Sequence, residues 1–294
     1  MAHRASGRGA LRAWATHHLA DRALEVVTRT LGPDAAVMPL KGALLARVAY
    51  HDPSERPMVD LDLLAVRPGL LRTLGALRAR GFSVEGWSGD LHVTLTVPGV
   101  AGMRLDLHGR PLPRGYGAVD TPWLVHGAHR VPGPPGAAVL RPDLRRAFVH
   151  LVGCALRDLL VRAPPHCRED LQRTFEALQR PPEELARVLA QARLQRACWA
   201  VLEHFGQGGA LAALEPLKAL LRPRGLALSR AKAILGALQR HGVGEAPALW
   251  VGALPLALAD DPRDALLGVL ALGVSLPLGW ASGRLYRVEA PGRE

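Results

Sequence analysis

Two aspartates one residue apart, Asp60 and Asp62, sit in the apolar frame Val59-Asp60-Leu61-Asp62-Leu63, and a third, Asp106, sits in a second frame from Met103 to His108. In an extended strand, side chains alternate between faces. Asp60 and Asp62 then share one face, while Val59, Leu61 and Leu63 point to a core. The second frame repeats the plan, with Met103, Leu105 and Leu107 inward and Arg104, Asp106 and His108 outward. Carboxylates on one face repel unless a cation lies between them, and Mg²⁺ is the natural resident because it takes carboxylate and phosphate oxygens. Such clusters suit phosphoryl and nucleotidyl transfer, in which two metal ions grip the attacking and leaving oxygens. A lone Asp-x-Asp strand could equally have nothing more than a wet face. The second strand of the same design favours the site.

Three further residues could join that chemistry. Lys41-Gly42 follows a short apolar run and precedes a helical stretch. A glycine there lets backbone N–H groups approach a phosphate at a helix start, and the lysine adds a point charge. Lys41 is one of only three lysines, with Lys218 and Lys232, in a chain whose 37 basic residues are otherwise arginine. Arg56, just ahead of the first strand, could reach a phosphate. His108, on the Asp106 face, could orient the acceptor.

The elements that must position these residues can be read from the spacing. Leu11, Trp14, Leu19, Ala23, Val26, Val27 and Leu31 suit one helix face, which Gly32-Pro33-Asp34 ends. Ala35 to Leu40 is a short apolar run and Ala43 to Ala49 is helical. Met58 to Val66 reads as a strand, Leu70 to Arg80 as an amphipathic helix closed by Gly81, and His92 to Val97 and Met103 to His108 as strands. This order predicts an α+β architecture, a small mixed β-sheet with helices, followed by a mostly α-helical domain. The Pro/Gly segment from Val131 to Gly136 is the linker candidate. The expected division is an N-terminal helix over 1–34 packed on a catalytic domain over 35–130, then a helical domain over 131–294.

Composition narrows the field. The chain has 294 residues, 49% hydrophobic and 21% charged, so it is long enough for a sizeable core and globular in character. A net charge of +11 favours anionic partners. The arginines are scattered and form no basic block, so a specific nucleic-acid partner is not expected. Cys154, Cys167 and Cys198 form no CxxC pattern, as in a reduced cytoplasmic chain. The N-terminus lacks an apolar h-region, so a secretory signal is not expected. Ala265 to Gly283 is uncharged, but Pro277 and its glycines make a buried helix pair a better reading than a membrane span. His126 and His129 lack a third ligand for zinc, and no Walker-type or GxGxxG loop is present.

Leu40-Lys41-Gly42, Tyr50, Asp52, Arg56, Asp60-Leu61-Asp62-Leu63-Leu64 and Leu105-Asp106-Leu107-His108 together resemble a bacterial family of nucleotidyltransferases within the DNA polymerase β-like superfamily. The likeness is specific from about residue 36 to 110 and continues weakly at Phe148-Val149-His150-Leu151. It implies Mg²⁺, two ions with Mn²⁺ as a substitute, held by Asp60 and Asp62 with Asp106 as third ligand and acceptor activator. It also implies a nucleotide-binding turn at Lys41 and Gly42, where the wider superfamily has Gly-Ser. The expected reaction is transfer of a nucleoside monophosphate from an NTP, ATP foremost, to a peptide, protein or small-molecule acceptor. The alternatives are a non-catalytic binding protein (antitoxin or peptide-tailoring adaptor) and a phosphotransferase using the same metals.

Overall fold

The computed structural model describes residues 7–88, 92–133, 135–158, 166–206, 211–241, 258–267 and 270. Helix α1 (Gly7–Leu31) leads into strand β1 (Ala36–Pro39) and helix α2 (Lys41–Val48). Strand β2 (Asp60–Arg67), helix α3 (Leu70–Arg78) and strands β3 (Ser83–Ser88), β4 (His92–Thr96) and β5 (Arg104–His108) follow. After helix α4 (Thr121–Val125) come β6 (His129–Arg130) and β7 (Ala138–Arg141). The described elements that follow are helical: α5 (Leu144–Asp158), α6 (Cys167–Leu178), α7 (Pro182–Gln191), α8 (Gln195–Phe205), α9 (Glu215–Leu221) and α10 (Gly225–His241).

The seven strands form one mixed sheet in the order β3-β4-β5-β2-β1-β7-β6. β2 lies near its centre, parallel to β5 and antiparallel to β1. Alternation along β2 divides the molecule. Leu61, Leu63 and Ala65 enter a core with Leu105 and Leu107 of β5, covered by Ala20, Ala23 and Val27 of α1 and Leu74 and Leu77 of α3. Leu64, on the opposite face, packs with Met38, Leu40 and Leu124. Val59 departs from the expected pattern: the strand starts one residue later, at Asp60, and Val59 is 80% exposed ahead of it.

The Val131–Gly136 segment joins β6 to β7, and both strands belong to the sheet. β7 adds in parallel to β1, so pairing runs past the Pro/Gly segment. Gly136 has φ +114°, and a Cβ there would stand 2.1 Å from the Thr28 carbonyl oxygen of α1, so only glycine allows this approach. Next to it the Ala137 N–H donates to the same carbonyl at 2.8 Å. The helical half has its own core, built on Phe148, Val152, Leu189, Trp199, Val201 and Leu217, which also takes in Leu45 and Tyr50 of the α2 region. That shared core fastens α2, and the Lys41 turn at its start, to the helices. Among the described residues no helix is long and apolar enough to cross a membrane. Most of the uncharged stretch from Ala265 to Gly283 lies outside the described residues.

Candidate functional site

The strand register gathers polar side chains on one face. Asp62 is paired with Asp106 across the parallel β2–β5 ladder, and Asp60 with Arg104. The antiparallel β4–β5 ladder sets Thr94 beside Asp106 and His92 beside His108. Paired residues on neighbouring strands share a face. The polar face therefore carries Asp60, Asp62, Arg104, Asp106, His108, His92, Thr94 and Thr96, while Leu61, Leu63, Val93, Leu95, Leu105 and Leu107 fill the core behind it.

Donor atoms of Asp62, Asp106 and His108 all lie within 4.8 Å of one another, a group able to hold a metal ion. Asp62 Oδ1 receives the Lys41 ammonium at 2.7 Å and lies 2.8 Å from His108 Nε2. Thr94 Oγ1 donates to Asp106 Oδ1 at 2.6 Å, and His92 Nε2 is 3.8 Å from Asp106 Oδ2. Asp60 is on the same face but two residues nearer the strand start, a step of about 6.6 Å. The compact group therefore contains His108, where the spacing pointed to Asp60.

The charges are unevenly balanced. Burial pushes the Asp60 carboxyl up to about 6, helped by the negative charges of Asp62 and Asp106. Burial also opposes ionisation of Asp62, but the Lys41 ammonium and the His108 hydrogen bond hold it well below the usual carboxylate range. Lys41 is raised in turn, since Asp62 outweighs the burial that disfavours its charge. Burial lowers His108, and lowers His92 to about 4 with help from neighbouring His108. Three aspartates thus gather beside one hydrogen-bonded lysine, with Arg157 and Arg56 adding positive charge from further off, and the two nearby imidazoles are neutral at pH 7. A divalent cation fits this donor set, because it would supply the missing positive charge.

Lys41 has φ +42°, a left-handed conformation that side chains with a Cβ seldom adopt. It opens α2, whose N-cap residue Leu40 gives no side-chain cap. Gly42 is buried, and a Cβ there would come within 3.2 Å of Met58 Cβ and 3.5 Å of Arg56 Nη1. Arg56, expected near a phosphate, is buried with its guanidinium on Asp170 of α6: Nε reaches Oδ1 at 2.6 Å and Nη2 reaches Oδ2 at 2.8 Å. Its Nη1 donates to the Pro57 carbonyl. Tyr50 completes the node, its hydroxyl donating to Asp170 Oδ1 at 2.7 Å.

Sequence reasoning missed His92, Thr94 and Asp170. The alternation of His92-Val93-Thr94-Leu95 in a strand bordered by polar residues was a usable signal for the first two. Asp170 had none, since it lies on a different helix 114 residues from Arg56.

A family model described as an uncharacterised nucleotidyltransferase matches residues 12–207, which cover the whole sheet and the helices through α8. The chain belongs to this nucleotidyltransferase family. Membership carries nucleotidyl transfer as the general reaction. The matched span includes every residue of the site just described. No curated protein and no solved structure matches the chain.

Proposed function

We propose that this nucleotidyltransferase moves a nucleoside monophosphate from an NTP, with ATP as the first candidate, to an acceptor hydroxyl on a peptide, protein or small molecule. The acceptor oxygen forms a bond to the α-phosphorus, the bond from that phosphorus to the β-phosphate oxygen breaks, and pyrophosphate leaves. The observation that carries this reading is the buried Asp62–Asp106–His108 group, with Asp60 and Lys41 beside it, in a chain of this family.

Asp62, Asp106 and His108, with Asp60 alongside, would hold divalent cations, Mg²⁺ by the carboxylate chemistry. When bound, such ions neutralise phosphate charge and orient both oxygens of the in-line displacement. Asp106, fixed through Thr94, accepts the acceptor's proton. Lys41 exchanges Asp62 for the β- and γ-phosphates, and the backbone N–H groups at Gly42 add to that contact at the start of α2. Arg56 acts here from behind, holding the Gly42 turn by its pair with Asp170 rather than touching phosphate. The helices from α5 onward cover the nucleotide and present the acceptor.

Asp62→Asn tests the proposal. The full-length variant should retain its circular dichroism and cooperative thermal unfolding while Mg²⁺-dependent pyrophosphate release from NTP falls at least about 100-fold, the scale of losing one key electrostatic contact. Wild-type release from a folded Asp62→Asn chain would sink it. Release of ADP from ATP in place of pyrophosphate would reassign the chemistry to phosphoryl transfer.

A further inference from the structure

One of the three side chains able to hold a metal is an imidazole, His108, with the His92 ring beside it, and the donor set is therefore not that of an oxygen-only Mg²⁺ site. His108 is 2% exposed, and its Nε2 lies 2.8 Å from Asp62 Oδ1. That separation is close to the roughly 3 Å between adjacent ligand atoms around an octahedral divalent ion with bonds near 2.1 Å. The His92 and His108 rings are 5.0 Å apart, and His92 Nε2 is 3.8 Å from Asp106 Oδ2. Both imidazoles thus border the space between the two aspartates that the register sets side by side.

Mg²⁺ keeps its waters and oxygen ligands and gains little from nitrogen, whereas first-row transition ions bind imidazole well. Mn²⁺ shares the octahedral, carboxylate-binding habit of Mg²⁺, and of the two it is the first-row transition ion and accepts an imidazole nitrogen more readily. We infer that His108, seconded by His92, makes this a mixed nitrogen–oxygen centre that selects Mn²⁺ over Mg²⁺. The inference rests on the metal-dependent reading above and concerns which ion that centre prefers. A competing account has His108 serving Asp62 only as a hydrogen-bond partner, with no place in the coordination shell.

Electron paramagnetic resonance of the full-length protein with Mn²⁺ alone separates the two. Free Mn²⁺ should fall on titration with protein, and Mg²⁺ should need about tenfold or greater excess to restore it. Pulsed measurements on the bound ion should show nitrogen-14 coupling. His108→Asn should remove that coupling and bring Mn²⁺ and Mg²⁺ to within about threefold of each other. His92→Asn, at a less buried position, should weaken Mn²⁺ binding in the same direction and serves where His108→Asn does not fold. Bound Mn²⁺ without nitrogen coupling, displaced by equal Mg²⁺, overturns the inference and leaves the proposed transferase standing. If neither ion binds, with or without a non-hydrolysable NTP, both readings fall.

Discussion

Asp62 and Asp170 are both buried aspartates that meet a basic side chain at hydrogen-bond distance, and they are satisfied in opposite ways. Asp170 uses both oxygens: Arg56 grips it bidentately and Tyr50 adds a third bond. Its surroundings include Arg56 and Tyr50 from the sheet half and the Thr174 hydroxyl, which donates to the Asp170 backbone carbonyl at 2.6 Å. Asp62 takes Lys41 and His108 on the same oxygen, Oδ1, and has Asp60 and Asp106 as like-charged neighbours. A buried carboxylate whose two oxygens are both taken by a bidentate guanidinium fastens the structure. One that is crowded by other carboxylates and served by a single lysine is arranged for a further cation.

The sharpest way to break this comparison is to remove the carboxylate of the saturated node. Asp170→Ala leaves the Arg56 guanidinium buried with no counter-charge and should cost about 3–5 kcal/mol of stability, seen as a fall in the urea midpoint. The double variant Arg56→Met, Asp170→Leu should recover a large part of that loss, since with both charges replaced only the Tyr50 hydroxyl loses its partner. Asp62→Asn should cost much less, because it removes repulsion from Asp60 and Asp106 along with the attraction of Lys41. Equal losses at the two aspartates would show that the contrast between them is not real.

This contrast also marks what was legible in the sequence. Alternation alone separates Asp60 and Asp62 from Leu61 and Leu63, because a strand buried on one side must keep its acids off that side. It could not give the register, so His108 and Thr94 were not distinguishable as partners of Asp62 and Asp106. It also misjudged Val59, where the strand had not yet begun. The parallel pairing of β1 with β7 across the Pro/Gly segment, and the Arg56–Asp170 pair, depend on long-range docking for which no local pattern exists. Arg56 looked like a phosphate ligand because an arginine before a carboxylate strand carries no mark of its distant partner.

Acid should act on the molecule through a third buried group, His150 of α5. Its Nε2 is 3.0 Å from the Pro111 carbonyl oxygen, and burial, with the Lys41 charge, lowers its pKa to about 3. The unfolded imidazole titrates near the ordinary value of about 6.5. Between these values the unfolded chain binds the extra proton, so the stability is full above about pH 6.5 and is lost as pH falls toward 3, at up to about 1.4 kcal/mol per pH unit. His150→Gln removes this proton uptake. Its loss of stability between pH 7 and pH 5 should be smaller than that of the wild type by about 2 kcal/mol. Parallel curves would show that His150 is not held neutral.

The smallest effect addresses why a lysine accepts the conformation that Lys41 adopts. At φ +42° a residue with a Cβ is disfavoured by roughly 1–2 kcal/mol, and glycine is not. Lys41→Gly and Lys41→Ala both remove the ammonium from Asp62, so their difference isolates the backbone. Glycine should be the more stable of the two by about 1 kcal/mol, after its greater freedom in the unfolded chain is offset. If alanine is equal or better, the left-handed turn is not imposed by the fold. If glycine wins, the fold demands a residue that lysine fills poorly, and the ammonium on Asp62 is the reason it is tolerated. That outcome ties Lys41 to the crowded carboxylates rather than to the saturated node, because strain of this kind persists where the surrounding site holds it in place.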